Sequence, residues 1–227
     1  QGFIKCWGNN NVNAVTLNHP TTNGWIDVDI ADQHACAVHK DGHAECWANN
    51  DVTDSRATLP TVTISDTTVY PITDWVDIEV YNDNSCGLTA TGAIHCWGTL
   101  DYPSSSELSP PYVSLGATKW VRFDVGYNHT CAIDDMGVMQ CWGYNGDDRT
   151  TVPSEQTWAD VATGQGHTCG LTTNGEIHCW GYGFDGQTTV PDSNDLDSTS
   201  HKWVALTAGR NQTCGLYETI VPASETN

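Results

Sequence analysis

The chain has 227 residues and a formal net charge of −20, from 28 acidic and 8 basic residues. A surface this acidic repels the phosphate backbone of nucleic acids, so no nucleic-acid partner is expected. No apolar run approaches 18 residues, so no membrane insertion is expected. The chain contains 10 cysteines in regular pairs, and this pattern favours disulfides and an oxidising compartment. Gln1 is consistent with a processed, secreted protein.

One stretch recurs along the chain. It begins at Trp25, Trp75, Trp120 and Trp158. In each copy a Cys follows the first Trp by eleven residues, a second Cys follows ten residues later, and a Trp comes directly after it. A fifth copy is split, because Trp203–Leu216 matches its first half and Gln1–Gly8 its second half. A closed ring explains this split, since the two chain ends then complete one shared unit.

Each copy predicts three strands. In the copy at Trp75, apolar residues alternate in Trp75–Val80, and the next strand carries the first Cys at Ser85–Leu88. The third strand carries the second Cys and its Trp. A glycine lies at a fixed place in the turn before it: Gly42, Gly92, Gly137 or Gly175. A short fourth strand is expected near the Thr-Thr-Val-Pro segments at 150–153 and 188–191.

Two cysteines placed symmetrically about a tight turn can face each other across the hairpin. The predicted disulfides are Cys36–Cys46, Cys86–Cys96, Cys131–Cys141, Cys169–Cys179 and, by the same frame, Cys6–Cys214. The rival interpretation is metal binding, but the Cys-x9-Cys spacing lacks the short Cys-x2-Cys of structural zinc sites. Loop entropy gives about 3 kcal/mol for each hairpin bond and about 5 kcal/mol for the ring-closing bond.

The repeat resembles that of the regulator of chromosome condensation family, and the match is clearest in Val125–Cys131 and Gly164–Cys169. The paired cysteines are similar to the secreted branch of that family. The resemblance covers residues 1–216 and implies an all-β, five-bladed β-propeller closed by pairing of the N- and C-terminal strands. The best-known members have seven blades, and of their Gly-Gln-Leu-Gly ending only Gly186-Gln187 is present. The family's nucleotide-exchange activity needs a nuclear protein and a defined contact surface, and the sequence indicates neither, so this activity is not expected here.

The resemblance implies a single domain at 1–216. Its blades are expected at about 25–74, 75–119, 120–157, 158–202, and 203–216 together with 1–24. Residues 217–227 are expected to form a tail or linker. The connections between copies vary in length, and variable loops on a constant scaffold are where recognition usually lies.

Several side chains are candidates for metal binding. His34, His129 and His167 share one repeat position, where the other copies have Asn84 and Gln212. Three imidazoles can bind a metal, but their replacement by amides favours hydrogen bonds between adjacent blades. Asp147, Asp148 and Asp185 could hold calcium through oxygen ligands, yet no loop has the spacing of a calcium motif. No metal and no cofactor is therefore assigned.

Three aromatic residues, Tyr144, Tyr182 and Phe184, follow Cys-Trp-Gly and are expected to form a binding rim. Exposed aromatics can stack on sugars or anchor a protein partner; the alternative is packing between blades. Asn128 and Asn211 begin Asn-x-Thr sequons and are candidate glycosylation sites.

No catalytic motif is present, so an enzyme is the least favoured function. The expected function is an extracellular, non-catalytic structural or protein-interaction module that binds a protein partner or assembles with itself. The alternative is a carbohydrate-binding propeller that recognises glycans. Five equivalent sugar sites would need a repeated aromatic residue, whereas the residue after Trp-Gly is Asn9, Thr99, Tyr144 and Tyr182 in four copies.

Overall fold

The structure is a computed structural model that describes residues 2–7, 19–48, 57–65, 68–98, 110–191 and 201–219, without the side chains of 62–70. These ranges contain sixteen β-strands and one 3-10 helix at Gly146–Asp148. The predicted all-β class is confirmed. None of the described segments forms a helix that is both long and apolar enough to cross a membrane.

Four three-stranded antiparallel sheets, here called blades, correspond to the four continuous copies of the repeat. The first blade holds β1 (Trp25–Ile30), β2 (His34–His39) and β3 (Ala44–Ala48). A hairpin of β4 (Thr61–Ser65) and β5 (Thr68–Pro71) follows it. The second blade holds β6 (Trp75–Tyr81), β7 (Asn84–Thr89) and β8 (Ile94–Gly98). Hairpin β4–β5 was not predicted from the sequence.

The remaining strands lie in the second half of the chain. The third blade holds β9 (Trp120–Val125), β10 (His129–Asp134) and β11 (Met139–Gly143). The fourth blade holds β12 (Trp158–Thr163), β13 (His167–Thr172) and β14 (Ile177–Gly181). The final pair, β15 (His201–Ala208) and β16 (Thr213–Thr219), is called the open sheet.

The chain divides into two compact units, Gln1–Pro110 and Pro111–Asn227. The first unit contains the first and second blades with hairpin β4–β5. The second unit contains the third and fourth blades with the open sheet. The single domain expected at 1–216 stays a prediction.

The paired cysteines lie directly opposite each other within each blade. The register aligns the second and third strands at Cys36 and Cys46, at Cys86 and Cys96, at Cys131 and Cys141, and at Cys169 and Cys179. Each of these pairs is a disulfide. The first cysteine of every pair is fully buried. The prediction of one disulfide in each of these hairpins is confirmed.

The residue after the first Cys is always Gly or Ala, because the first Trp of the repeat lies against it. A Cβ atom added at Gly87 would lie 2.5 Å from the ring of Trp75, and one at Gly215 would lie 2.6 Å from the ring of Trp203. A larger side chain would displace the indole from the buried core.

The turn glycine links each blade to the next one in the same unit. Gly42, Gly137 and Gly175 adopt φ values of +89°, +78° and +85°, which side chains with a Cβ rarely tolerate. Their carbonyl oxygens accept the backbone N–H of the first Trp of the following sheet, at 2.9 to 3.0 Å. The fixed glycine of the repeat therefore serves the turn and the junction between blades.

Carboxylates on the first strands form a second link. In the first unit, Asp27 Oδ2 accepts the N–H of Ile78 at 3.1 Å, and Asp29 Oδ2 accepts the N–H of Val80 at 2.7 Å. Burial raises the pKa of Asp29 despite these bonds. Adjacent first strands are therefore joined through side chains where no backbone ladder connects them.

One detail of the predicted strands is wrong. No strand forms at 150–153 or 188–191. Instead, the backbone N–H of Thr151 bonds Asp148 and that of Thr189 bonds Gly186, both at 2.9 Å, so the chain turns on itself there. Strand β16 extends to Thr219, and the tail or linker expected at 217–227 stays a prediction.

The split repeat is incomplete in the structure. Among the described residues, β16 pairs only with β15. Cys6 and Cys214 are free thiols, so the predicted fifth disulfide is not formed here. Trp7 is 84% exposed, whereas its counterpart Trp47 is 6% exposed. Closure by the terminal strands, and with it a fifth blade, stays a prediction.

Candidate interaction surface

Two loops of matching sequence leave the third strands of the third and fourth blades. The third-blade loop is residues 143–153, and the fourth-blade loop is residues 181–191. Arg149 and Gln187 occupy equivalent positions in them, and both side chains are buried although they are polar. The buried side chains of these two residues anchor the loops.

The anchor carbonyls complete the same hydrogen-bond relay at two blade junctions. The Thr168 hydroxyl donates to the carbonyl oxygen of Arg149 at 2.9 Å, and it therefore accepts a bond from His129 Nε2 at 2.9 Å. The Thr213 hydroxyl donates to the carbonyl oxygen of Gln187 at 3.0 Å and accepts from His167 Nε2 at 2.9 Å. Each relay joins a blade, the next sheet and a loop.

The shared histidine position thus has a structural role. In the first unit His34 Nε2 makes the corresponding contact, 2.7 Å from the hydroxyl of Ser85 in the second blade. Burial lowers the pKa of His129 to about 3, and the nearby charge of Arg149 contributes in the same direction. A neutral imidazole that donates from Nε2 fits a hydrogen bond between blades. The prediction of such bonds is confirmed for His34, His129 and His167.

The Arg149 side chain fixes the third-blade loop through three bonds. Its Nε donates to the carbonyl oxygen of Gly146 at 2.7 Å, and Nη1 donates to that of Gln165 at 3.0 Å. Its Nη2 lies 3.2 Å from Asp147 Oδ2. A buried guanidinium needs such partners, because an unpaired charge there would be costly. In the fourth-blade loop, Gln187 Oε1 accepts the N–H of Asp185 at 3.0 Å.

Two of the three predicted rim aromatics touch each other. The rings of Tyr182 and Phe184 have centroids 5.3 Å apart with their planes at 53°. Phe184 is 89% exposed. Tyr144 lies on the other loop, where the Arg149 guanidinium stands 5.0 Å from the centre of its ring. The half-buried Tyr182 and the exposed Phe184 therefore form an apolar corner at the surface, and Arg149, which anchors the third-blade loop, lies over the ring of Tyr144.

The acidic residues of these loops remain at the surface. Asp147, Asp148 and Asp185 are exposed, and the first two adopt φ of +58°. Within the part of the chain that the structure describes, these three side chains do not form a convergent group of metal-ligand atoms. Asp185 directly follows Phe184 in the chain, whereas Asp147 is paired with Arg149 on the other loop.

The sequon asparagines differ in accessibility. Asn211 is exposed, whereas Asn128 is half-buried and its carbonyl oxygen accepts the N–H of Tyr144 at 2.7 Å. Glycosylation at either residue stays a prediction. The sequence analysis missed Arg149 and Gln187, although aligning the two loops with each other would have singled them out.

The blades, their disulfides and the turn links define β-propeller architecture. Residues 158–187, the fourth blade and the start of its loop, match the family model of the regulator of chromosome condensation (RCC1) repeat. This match to one copy of the repeat confirms the resemblance predicted from sequence. The count of five repeats stays a prediction. No curated protein sequence matches the chain.

Solved structures share the fold. The CRINKLY WD40 ectodomain of the receptor kinase ACR4 from Arabidopsis thaliana is 23% identical at a TM-score of 0.61, over 93% of this chain and 67% of that one. The ectodomain of the receptor kinase CR4 from Physcomitrella patens is 24% identical at 0.63, over 93% and 52%. Prp20p from Saccharomyces cerevisiae is 12% identical at 0.66, over 90% and 58%. The chain thus spans half to two thirds of these proteins, and such identities show the fold alone.

Proposed function

We propose that the chain is an extracellular, non-catalytic module that binds another protein through the third-blade and fourth-blade loops. One observation carries this proposal: Phe184 is 89% exposed and packs on Tyr182 in a loop that the buried Gln187 anchors. Aromatic residues, Phe included, are enriched at protein interfaces, and Tyr is among the residues that most often dominate their binding energy.

The anchored loops support binding because their conformation is already fixed. Arg149 holds the third-blade loop through three hydrogen bonds, and both anchor carbonyls are bonded to the adjacent sheet. An ordered loop loses little conformational entropy when a partner docks, so more of the contact energy remains as affinity.

The charge around the corner selects the partner. Asp147, Asp148 and Asp185 are exposed beside the aromatic residues, in a chain of net charge −20. Complementary charge steers association and rejects like-charged surfaces. The expected partner therefore presents an apolar group flanked by Lys or Arg, either on a different extracellular protein or on a face of a second copy that carries basic residues.

Four disulfides support an extracellular location, because such bonds persist in oxidising compartments. Two of the structures with this fold are ectodomains of receptor kinases, so the architecture is used outside the cell in those proteins. The carbohydrate-binding alternative is less favoured, since ring planes at 53° form a corner and not a flat platform for a sugar.

The proposal is tested with the protein isolated from its source, by native mass spectrometry and electron microscopy. A defined complex or polymer is expected. Phe184→Ala should dissociate it, whereas Leu115→Ala should not, because Leu115 is a fully exposed apolar residue of the same unit outside both loops. A monomer for wild type that binds glycans in a binding screen would contradict the proposal and favour the carbohydrate-binding alternative.

A further inference from the structure

The turn between β2 and β3 of the first blade brings together three side chains that the proposed function does not use. They are His39, Asp41 and His43, in the sequence His-Lys-Asp-Gly-His. The backbone N–H of His39 donates to the carbonyl oxygen of His43 at 2.9 Å, so the two residues oppose each other across the hairpin. Cross-strand neighbours place their side chains on the same face.

The candidate ligand atoms of these three residues lie close together. Nδ1 of His39 lies 2.7 Å from Asp41 Oδ1, and Nδ1 of His43 lies 2.6 Å from the same oxygen. All three atoms lie within 4.8 Å of one another. In the part of the chain that the structure describes, this is the one such convergence of histidine, cysteine and acidic side chains.

The tautomer of His39 makes the convergence informative. His39 Nε2 lies 2.8 Å from the carbonyl oxygen of Asn23, and a carbonyl can only accept, so Nε2 carries the hydrogen. A neutral ring then has a lone pair on Nδ1, which the Asp41 backbone N–H approaches at 3.4 Å. That lone pair faces a carboxylate oxygen at 2.7 Å. A cation shared by the two atoms, either a proton or a metal ion, removes this repulsion.

The hydrogen bond from His39 to Asn23 is of the kind that metal-ligating histidines make in proteins. Ligating histidines almost always donate their other ring N–H to a carbonyl or carboxylate, which fixes the tautomer and the ring orientation. The ring of Trp25 meets both imidazoles edge-on, with centroids 5.4 and 5.3 Å away. A Cβ atom on Gly24 would overlap the His39 imidazole, so the close approach requires glycine here.

The site is open on one side. The His39 side chain is 13% exposed, whereas the side chains of Asp41 and His43 are 60% and 41% exposed. An ion can therefore reach the three ligand atoms from solvent, while the ring of His39 is already held in place by its buried contacts.

The other blades show that the turn does not need imidazoles. At the position of His39 they have Thr89, Asp134 and Thr172, whose side-chain oxygens accept a backbone N–H of the turn at 3.0 to 3.1 Å. In the first blade Asp41 Oδ1 does this for the N–H of His43, at 3.2 Å. The two histidines are thus additional to the turn that the repeat shares.

We propose that His39, Asp41 and His43 form a binding site for a divalent transition-metal ion, with Zn²⁺ as the representative. Two imidazole nitrogens and one carboxylate oxygen suit Zn²⁺ and its neighbours in the first transition series. Three protein ligands leave a fourth position of a tetrahedral site for water or for a group of a partner molecule. Calcium is disfavoured, because it takes six to eight oxygen ligands.

The test is Zn²⁺ binding to the full chain, after removal of any affinity tag, measured by isothermal titration calorimetry near neutral pH. One Zn²⁺ per chain is expected. His43→Ala and Asp41→Asn should each weaken binding by more than about 100-fold, since loss of even an outer-shell partner costs about 10- to 100-fold. Both side chains are largely exposed, so the variants should fold. Visible absorption of bound Co²⁺ gives a second readout of the coordination sphere.

The matched control is His178→Ala in the fourth blade. His178 also meets a Trp edge-on, at 5.9 Å from Trp158, and its Nε2 lies 3.7 Å from Glu176, but it has no second imidazole opposite. This variant should bind Zn²⁺ like the wild type. Wild-type binding no tighter than that of His43→Ala would overturn the proposal. So would an equal loss in His178→Ala, because the binding would then be nonspecific surface chelation.

Discussion

The fourth blade and the open sheet contain the same repeat in the same unit, yet only the fourth blade is complete. Trp158 and Trp203 are both buried, so two strands suffice to bury the first Trp. The cysteines differ, because Cys169 is fully buried and bonded whereas Cys214 is exposed and free. Cys169 has a third strand opposite it and the next sheet against it, with its Sγ 3.6 Å from Thr213 Oγ1, whereas β16 pairs only with β15 among the described residues.

In the first unit, the first strand of the second blade is covered by the first blade, whereas the first strand of the first blade has an uncovered face. Ile78 and Val80 of β6 are buried, whereas their counterparts Val28 and Ile30 of β1 are exposed. The split repeat differs from the continuous repeats in chain topology. A continuous repeat closes its hairpin over a ten-residue separation, whereas the split repeat must bring together residues about 200 positions apart, which costs more loop entropy.

The largest expected effect distinguishes a closed repeat from an open one. Trp47→Ala removes a buried indole and should lower the free energy of unfolding by about 3 to 5 kcal/mol. Trp7 is its counterpart in the split repeat. We propose that the terminal strands close in solution, and Trp7→Ala should then cost nearly as much. Chemical denaturation measures both variants, and an effect below about 0.5 kcal/mol for Trp7→Ala, as for an exposed residue, would count against closure.

A smaller effect is expected from one hairpin disulfide. Replacing Cys169 and Cys179 together by Ser should lower the free energy of unfolding by about 3 kcal/mol, because the unfolded chain regains the entropy of the closed loop. Thermal unfolding with and without a reductant checks this value. If reduction destabilised the double variant as much as the wild type, the contribution of this bond would be negligible.

The smallest effect, counted per pH unit, concerns pH and the relay between blades. His129 has a pKa of about 3 in the folded chain, against an ordinary value of about 6.5. Between these values the unfolded chain binds a proton that the folded chain does not. The contribution of neutral His129 to the free energy of unfolding is therefore complete above about pH 6.5. Below that pH the free energy of unfolding falls by about 1.4 kcal/mol per pH unit.

The variant His129→Gln isolates this contribution. Gln keeps a donor for Thr168 and does not titrate, and the repeat itself uses an amide at this position in Gln212. The variant should lose stability less steeply than the wild type between pH 6.5 and 4, as measured by denaturant unfolding at several pH values. Identical slopes for the two proteins would show that His129 does not titrate in this way.

The sequence predicted the features that depend on neighbours in the chain. The strands, the turn glycines and the four hairpin disulfides follow from spacing within about 24 residues. The role of His129 was also predictable, because other copies replace it by amides. The expected fourth strand was wrong, since alternation in Thr-Thr-Val-Pro does not reveal that Thr151 closes a local turn.

Features that depend on three-dimensional convergence were not predicted. Arg149 is buried because its loop lies against the fourth blade, where Trp180 Nε1 donates to the Arg149 carbonyl oxygen at 2.8 Å. Residue type alone favours a position at the surface for Arg. His39 and His43 occur in one copy of the repeat only, so comparing the copies did not single them out as functional residues. Their significance depends on the carbonyl of Asn23, which is 16 residues away from His39 in the chain.

The most direct test of the account is disulfide mapping of the natively purified protein. The chain is alkylated without reduction, digested, and its linked peptides are identified by mass spectrometry. We predict a peptide pair that joins Cys6 to Cys214, beside the four hairpin pairs, and no free thiol. Two alkylated cysteines per chain, at Cys6 and Cys214, would show that the split repeat remains open and would contradict closure of the propeller by its ends.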